Sequence, residues 1–192
     1  MRKIFFDIET SNIFADVGKN DPSLLDLAVV GIYDSESDKY SCFEQSELTA
    51  LWPLMEKADL LIGFNSDHFD IPLLDKYYPG NLSAIKSVDI MKEIKNVLGR
   101  RVGLGHVARV TLGTGKNGHG LDAIEWWKKG LKDKVKEYCL QDVKVTKELY
   151  DFALKNGYVQ IEDGTNKIKI QLDTSGWEKR NNSAMTQTMP FY

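Results

Sequence analysis

The chain has 192 residues, 42% of them hydrophobic and 28% charged, with a formal net charge of −3 at pH 7. That is the balance of an ordinary soluble globular protein, long enough for one domain with a full core and too short for two comfortable ones. No apolar run has the length needed to span a bilayer, and the N-terminus enters a strand-like segment directly, with no signal-peptide pattern, so no membrane partner is expected.

Residues 2–7 predict a short strand whose centre, Ile4, Phe5 and Phe6, is continuously apolar, the pattern of a strand buried on both faces. Residues 25–33 and 40–43 predict two more strands, joined by the acidic, polar stretch 34–39 as an antiparallel hairpin. Leu48, Leu51, Leu54 and Met55 give residues 46–58 a helical period, with Pro53 expected to start or kink that helix. Residues 60–64 form another apolar strand, followed by a helix over 70–77 with Pro72 in its permissive first turn. A fifth strand is expected at 84–88 and a helix at 90–98. Three strands followed by alternating helix and strand indicate an α/β domain with a mixed sheet.

Residues 99–120 are loop-rich, with seven glycines and one short helix expected near 104–110. Helices follow over 121–129 and 132–155, the second stopped by Asn156-Gly157. Residues 158–162 and 167–172 alternate apolar and polar side chains around Asp163-Gly164, which predicts a C-terminal β-hairpin. From Asp173 the chain is polar and reads as a mobile tail or a docking strap. The expected organisation is therefore an α/β domain over 1–156, a hairpin extension over 157–173 and a tail over 174–192.

Chemistry concentrates in the carboxylates. Asp7 and Glu9 stand two apart on the first strand, so their side chains leave the same face and repel unless a cation lies between them. A strand end reaching solvent explains such a pair equally well. Asn65-Ser66-Asp67-His68-Phe69-Asp70 lies where a buried strand turns into a helix, the usual ligand end of an open α/β sheet. Helix capping by Ser66 or Asp67 accounts for a polar residue there, but not for Phe69 immediately before an acid. Tyr138 and Asp142, four apart on the long helix, share one face, as would an exposed aspartate above a half-buried tyrosine.

Taken together and in this order, the three motifs resemble the exonuclease motifs of the DEDD superfamily, in the subclass marked by tyrosine. The resemblance runs from Lys3 to about Tyr150 and is similar in particular to the proofreading exonuclease domain of family B DNA polymerases. It implies an RNase H-like fold, a mixed five-stranded sheet flanked by helices, here with the C-terminal β-hairpin as an extension. It also implies a 3′–5′ exonuclease that hydrolyses phosphodiester bonds by a two-metal-ion mechanism. Hard carboxylate ligands select Mg²⁺ or Mn²⁺ for the two divalent cations.

By the same resemblance Asp7 bridges both cations, Glu9 and Asp142 complete the site that activates water, and Asp70 serves the second cation. Tyr138 orients the attacking water, since a phenol with a pKa near 10 is a poor general base at neutral pH. The Thr10 main chain and the Asn65 side chain, with Phe69 beside them, are expected to hold the terminal nucleotide.

No acidic residue lies between Glu93 and Asp122, whereas Lys95, Arg100, Arg101, Arg109 and Lys116 do. This basic, glycine-rich segment reads as a phosphate-backbone contact through Arg109 and Lys116, or as an ordinary solvated loop. Net charge is neutral on the matter, because bound cations invert the field of an acidic cleft. The expected substrate is nucleic acid with a free 3′ end, single-stranded DNA ahead of RNA. A protein partner or oligomer contact is expected, if anywhere, at the hairpin and tail. Cys42 and Cys139 stand in unrelated sequence contexts, which argues for a reducing, cytoplasmic compartment and against a disulfide framework or zinc site.

Two rivals compete. A haloacid dehalogenase-like phosphatase also opens on a strand ending in Asp-x-acid, but Glu9 and the Tyr-x-x-x-Asp helix fit it poorly. A catalytically silent nucleic-acid or partner-binding scaffold would keep the fold, at the cost of clustered carboxylates with nothing to neutralise them.

Overall fold

A computed structural model describes residues 1–114 and 120–179. The main sheet is built from β1 (Lys3–Thr10), β2 (Leu27–Asp34), β3 (Lys39–Glu44), β4 (Leu60–Gly63) and β5 (Ser87–Asp89). The helices are α1 (Phe14–Val17), α2 (Leu48–Glu56), α3 (Asp70–Asp75), α4 (Ile90–Leu98), α5 (Leu104–Leu112), α6 (Gly120–Lys128) and α7 (Lys132–Asn156). A separate hairpin of β6 (Tyr158–Asp163) and β7 (Asn166–Gln171) follows. No helix among the described residues is long and apolar enough to cross a membrane.

Strand order is β3-β2-β1-β4-β5, with β2 and β3 antiparallel to their neighbours and β4 and β5 parallel to β1. This is the mixed five-stranded sheet of the RNase H-like expectation, with β1 at its centre because both faces of that strand are apolar. Alternation along β1 splits the core in two. Phe5 faces a cluster with Tyr33, Ile62, Leu149 and Tyr150, whereas Ile4, Phe6 and Ile8 face Leu51, Met55, Leu61 and Leu73. Asp7 and Glu9 continue the Phe5 face, and so point toward α7.

Two register features shape the functional end of the sheet. β1 pairs with β4 only from Lys3 to Phe5, so Asp7 to Thr10 run on past the end of β4 and leave a crevice. On the other side, pairing with β2 shifts between Glu9 and Thr10, a bulge that bends the strand and re-aims the Thr10 side of the crevice.

Helix α7 packs directly over Gly31 of the sheet. A Cβ there would sit 2.9 Å from Cys139 Sγ, 3.2 Å from Val143 Cγ2 and 3.3 Å from Leu140 Cδ2. Glycine is therefore needed at this point for close approach, and the helix sits a methyl group deeper than any other residue would allow.

The structure departs from the sequence expectations at a few boundaries. Helix α2 starts at Leu48 and runs through Pro53, which removes one intrahelical donor without ending the helix. The fifth strand is Ser87–Asp89, because residues 82–84 form a 3₁₀ turn first. The hairpin is a continuation of the core: Val159, Ile161, Ile170 and Leu172 belong to the same cluster as Phe5 and Tyr150. Past the hairpin, Trp177 is buried and stacks on Tyr150 at 5.2 Å, and Glu178 bonds Lys3 and the Tyr150 hydroxyl.

Arg2 fastens the far end of β1 to β2. Its guanidinium donates to both carboxylate oxygens of Asp34, at 3.1 and 2.8 Å, and both side chains are largely buried. Burial alone would raise the Asp34 carboxyl; Arg2, the Glu36 amide and the Ser37 hydroxyl outweigh it and hold the carboxyl below its ordinary range.

Two outcomes follow from these contacts. Gly31→Ala should lower unfolding stability by about 1–3 kcal/mol through overpacking, measured as a fall in chemical denaturation midpoint. Arg2→Gln should cost about 3 kcal/mol at neutral pH, the lower end for breaking a buried pair. A depressed carboxyl contributes stability above its unfolded pKa and loses it as pH falls through the folded value. The gap between wild type and Arg2→Gln should therefore close below about pH 4, in denaturation curves recorded across pH.

Candidate active site

Each acidic side chain reaches the crevice from a different element. Asp7 and Glu9 come from the free end of β1, Asp70 from the first turn of α3, and Asp142 from the middle of α7. One carboxylate oxygen from each of Asp7, Glu9 and Asp142 lies within 4.8 Å of the others. Glu9 and Asp142 are buried and Asp7 is half-buried. Three hard oxygen donors converging at that spacing fit a divalent cation of the Mg²⁺ or Mn²⁺ kind, and they do not suit zinc's preference for nitrogen and sulfur.

Asp70 lines the same cavity but is not one of that group of three. The amides of Asp70 itself and of Ile8 on β1 favour its charged form. Burial first, then the nearby charge of Asp89, pushes the Asp70 carboxyl up to about 8.

The turn that delivers Asp70 is tightly made. Asn65 takes a left-handed conformation (φ 68°), and a Cβ on Gly63 would lie 2.4 Å from Ser66 Cβ. The Asp89 carboxylate, at the end of β5, accepts from the amides of Asn65 (2.8 Å), Asp67 (3.1 Å) and Lys92 (3.1 Å). It therefore ties the turn to β5 while capping α4. Burial still raises the Asp89 carboxyl, although those three amides favour its charged form.

The cavity encloses about 630 Å³ and is lined by Asp7, Glu9, Thr10, Asn65, Phe69, Asp70, Tyr138 and Asp142, with Phe14, Leu25 and Ile124 among its apolar wall. Phe14 and Phe69 meet edge to face at 6.0 Å on that wall. Tyr138 lies one turn from Asp142 on α7, and Trp126 of α6 packs edge-on against its ring at 5.8 Å. Asn65 Oδ1 is buried without a hydrogen-bond partner among the described residues.

Of the residues singled out in the sequence, Asp7, Glu9, Thr10, Asn65, Phe69, Asp70, Tyr138 and Asp142 thus share one cavity. Arg109 does not line it: its guanidinium is paired with Glu162 of the hairpin at 2.7 Å. Lys116 lies outside the described residues. Two features were not singled out in the sequence: Asp89, and the contact of the Cys139 thiol, which donates to the Asp7 main-chain oxygen at 3.3 Å. Asp89 had a usable signal, an aspartate between an expected strand and an expected helix, the place of an N-cap. The Cys139 contact depends on long-range packing and leaves no local pattern.

A sequence model of the RNase H superfamily matches residues 4–154. Among solved structures, a family B DNA polymerase from the hyperthermophilic archaeon Pyrobaculum calidifontis superposes with a TM-score of 0.60 at 19% identity, over 80% of this chain and 24% of that one. The chain thus spans about a quarter of the polymerase, and the likeness is one of fold. No sequence among the curated proteins matches.

Cation binding has a direct physical readout. Mn²⁺ at about a hundred times its dissociation constant should stabilise the protein by about 2.7 kcal/mol, seen as a rise in Tm. Asp142→Ala should remove that rise; an equal rise in the variant would show that the carboxylates do not hold the ion.

Proposed function

The chain belongs to the RNase H superfamily, and from that premise we propose that it is a metal-dependent 3′–5′ exonuclease acting on nucleic acid with a free 3′ end, single-stranded DNA ahead of RNA. The observation that carries this reading is the convergence of Asp7, Glu9 and Asp142 within 4.8 Å at the floor of a cavity that also holds Asp70 and Tyr138. A volume of about 630 Å³ falls in the usual range for sites that enclose a small ligand, roughly 300–1,000 Å³.

Divalent cations, when bound, would lower the pKa of water and stabilise the leaving 3′ oxygen. The protein's own residues do the rest. Asp7, Glu9 and Asp142 would hold one cation, and Asp70, together with Asp7, would hold the other. Tyr138 is a positioning group, its hydroxyl orienting the attacking water beside Asp142 while Trp126 holds its ring. The Thr10 main chain and the Asn65 side chain hold the terminal nucleotide, and the apolar wall with Phe69 excludes water from around it. Catalysis is assigned to residues 1–156, with the hairpin 157–173 bracing α5 and α7.

The test incubates 5′-labelled single- and double-stranded DNA and RNA with Mg²⁺ or Mn²⁺. A ladder shortening from the 3′ end is expected, abolished in Asp7→Ala and Asp142→Ala with the fold intact. Tyr138→Phe should retain cation binding and lose on the order of 10²-fold in kcat, the size of a misplacement effect. Undiminished degradation in either aspartate variant overturns the assignment. Phosphate release from small monoesters would indicate a phosphatase, and no metal-dependent product from any substrate a binding scaffold.

A further inference from the structure

We propose that Cys42 and Cys139 form a reversible disulfide on exposure to a peroxide, and that this modification disables the site at Asp7. The two cysteines are far apart in sequence, yet Gly31 brings them together. Gly31 is the Cα partner of Asp7 on one side and of Cys42 on the other. Residues directly opposite in antiparallel strands project from the same face, so Asp7 and Cys42 flank the place where a Gly31 side chain would stand. Cys139 Sγ occupies that place, 2.9 Å from the position of a Cβ. One line thus runs across three strands, from Asp7 through the Cys139 thiol to Cys42.

Both contacts of the Cys139 thiol lie on that line. It donates to the Asp7 main-chain oxygen at 3.3 Å and lies 3.8 Å from the Asp7 carboxylate. Cys42 packs against Cys139 in the same cluster. Both cysteines are free; Cys139 is fully buried and Cys42 is half-buried. Cys42 is therefore the sulfur a small oxidant reaches first. The neighbouring Cys139 thiol, then the charge of Lys136, outweigh burial and hold the Cys42 thiol below its ordinary range, which favours attack by the thiolate.

The chemistry balances with hydrogen peroxide as the oxidant. The Cys42 sulfur attacks one peroxide oxygen; the S–O bond forms, the O–O bond breaks, and the leaving hydroxide takes a proton to become water. The Cys139 sulfur then attacks the Cys42 sulfenic acid; the S–S bond forms, the S–O bond breaks, and hydroxide leaves with the Cys139 proton as a second water. Two electrons pass from the thiols to the peroxide. In the product Cys139 has no S–H to donate to Asp7, and its sulfur is drawn to about 2.05 Å from that of Cys42. A dithiol reductant reverses the change.

The effect on cleavage rests on the exonuclease reading; the disulfide and its effect on cation binding do not. The experiment treats the full chain with graded hydrogen peroxide, alkylates it unfolded and weighs it, then measures Mn²⁺-induced stabilisation and 3′ degradation before and after dithiothreitol. The expected product has lost the mass of two hydrogens and resists alkylation. Its cation affinity should fall about 10–100-fold, the usual cost of losing a group that supports a ligand, and recover on reduction. Cys42→Ala should keep basal activity and ignore peroxide, while Cys139→Ser should leave Cys42 as a sulfenic acid that dimedone traps. Two free thiols after treatment, or a disulfide with undiminished Mn²⁺ stabilisation, overturns the proposal. A protein that cleaves no nucleic acid sinks only the exonuclease reading, since mass and Mn²⁺ stabilisation still decide this one.

Discussion

How deeply α7 settles onto the sheet at Gly31 governs the rest of the molecule. The helix is 25 residues long, about 37 Å at the usual rise of 1.5 Å per residue. Its C-terminal half is fixed in the core by Leu149 and Tyr150, against Phe5 and the hairpin. Its N-terminal half carries Tyr138 and Asp142 to the crevice. The missing side chain at Gly31 sets the gap between them, and because Gly31 pairs with Asp7, this close contact of the helix lies beside the carboxylate it must face. Close-packed interiors transmit such constraints because they have little free space to absorb a shift.

Packing alone would not gather carboxylates. Burying charge is costly unless it is hydrogen-bonded or neutralised, and this crevice collects several acids. Main-chain amides meet part of that cost. Asp89 accepts from the amides of Asn65 and Asp67 and from that of Lys92 in α4, and the amides of Ile8 and of Asp70 itself favour the charged form of Asp70. These bonds fix positions without importing a cationic side chain for those two residues. Burial nonetheless raises both carboxyls, so the arrangement retains electrostatic tension that a bound cation would relieve.

Much of this was legible in the sequence because it is periodic. Alternation put Asp7 and Glu9 on one face, helical spacing put Tyr138 over Asp142, and the apolar centre of β1 announced a middle strand. What stayed hidden is set by register between distant segments. Cys42 and Cys139 have unrelated local contexts, and only the pairing of β3 with β2 and the depth of α7 make them neighbours. The basic segment was legible only in part: its charge was readable but its partners were not. Arg100 and Arg109 face Asp163 and Glu162, at 3.1 and 2.7 Å, on a hairpin that begins far along the chain. Exposed ion pairs of this kind are worth roughly 0–1 kcal/mol, so they orient the hairpin more than they hold it.

What holds the hairpin is apolar burial, aided by a device at its edge. The outer edge of β6 is met by side chains of α5: Thr111 bonds both the amide and the carbonyl of Gln160, and His106 Nε2 accepts from the Glu162 amide. An open strand edge is thereby closed by a helix. Since α5 and α7 both pack on this hairpin, the C-terminal segment clamps the two helices that stand behind the Phe5 face of β1. The same face carries Asp7 and Glu9 two and four residues further on. Shortening the chain after α7 would therefore strip support from the helix that presents Asp142, so the hairpin reaches the site through α7 without touching it.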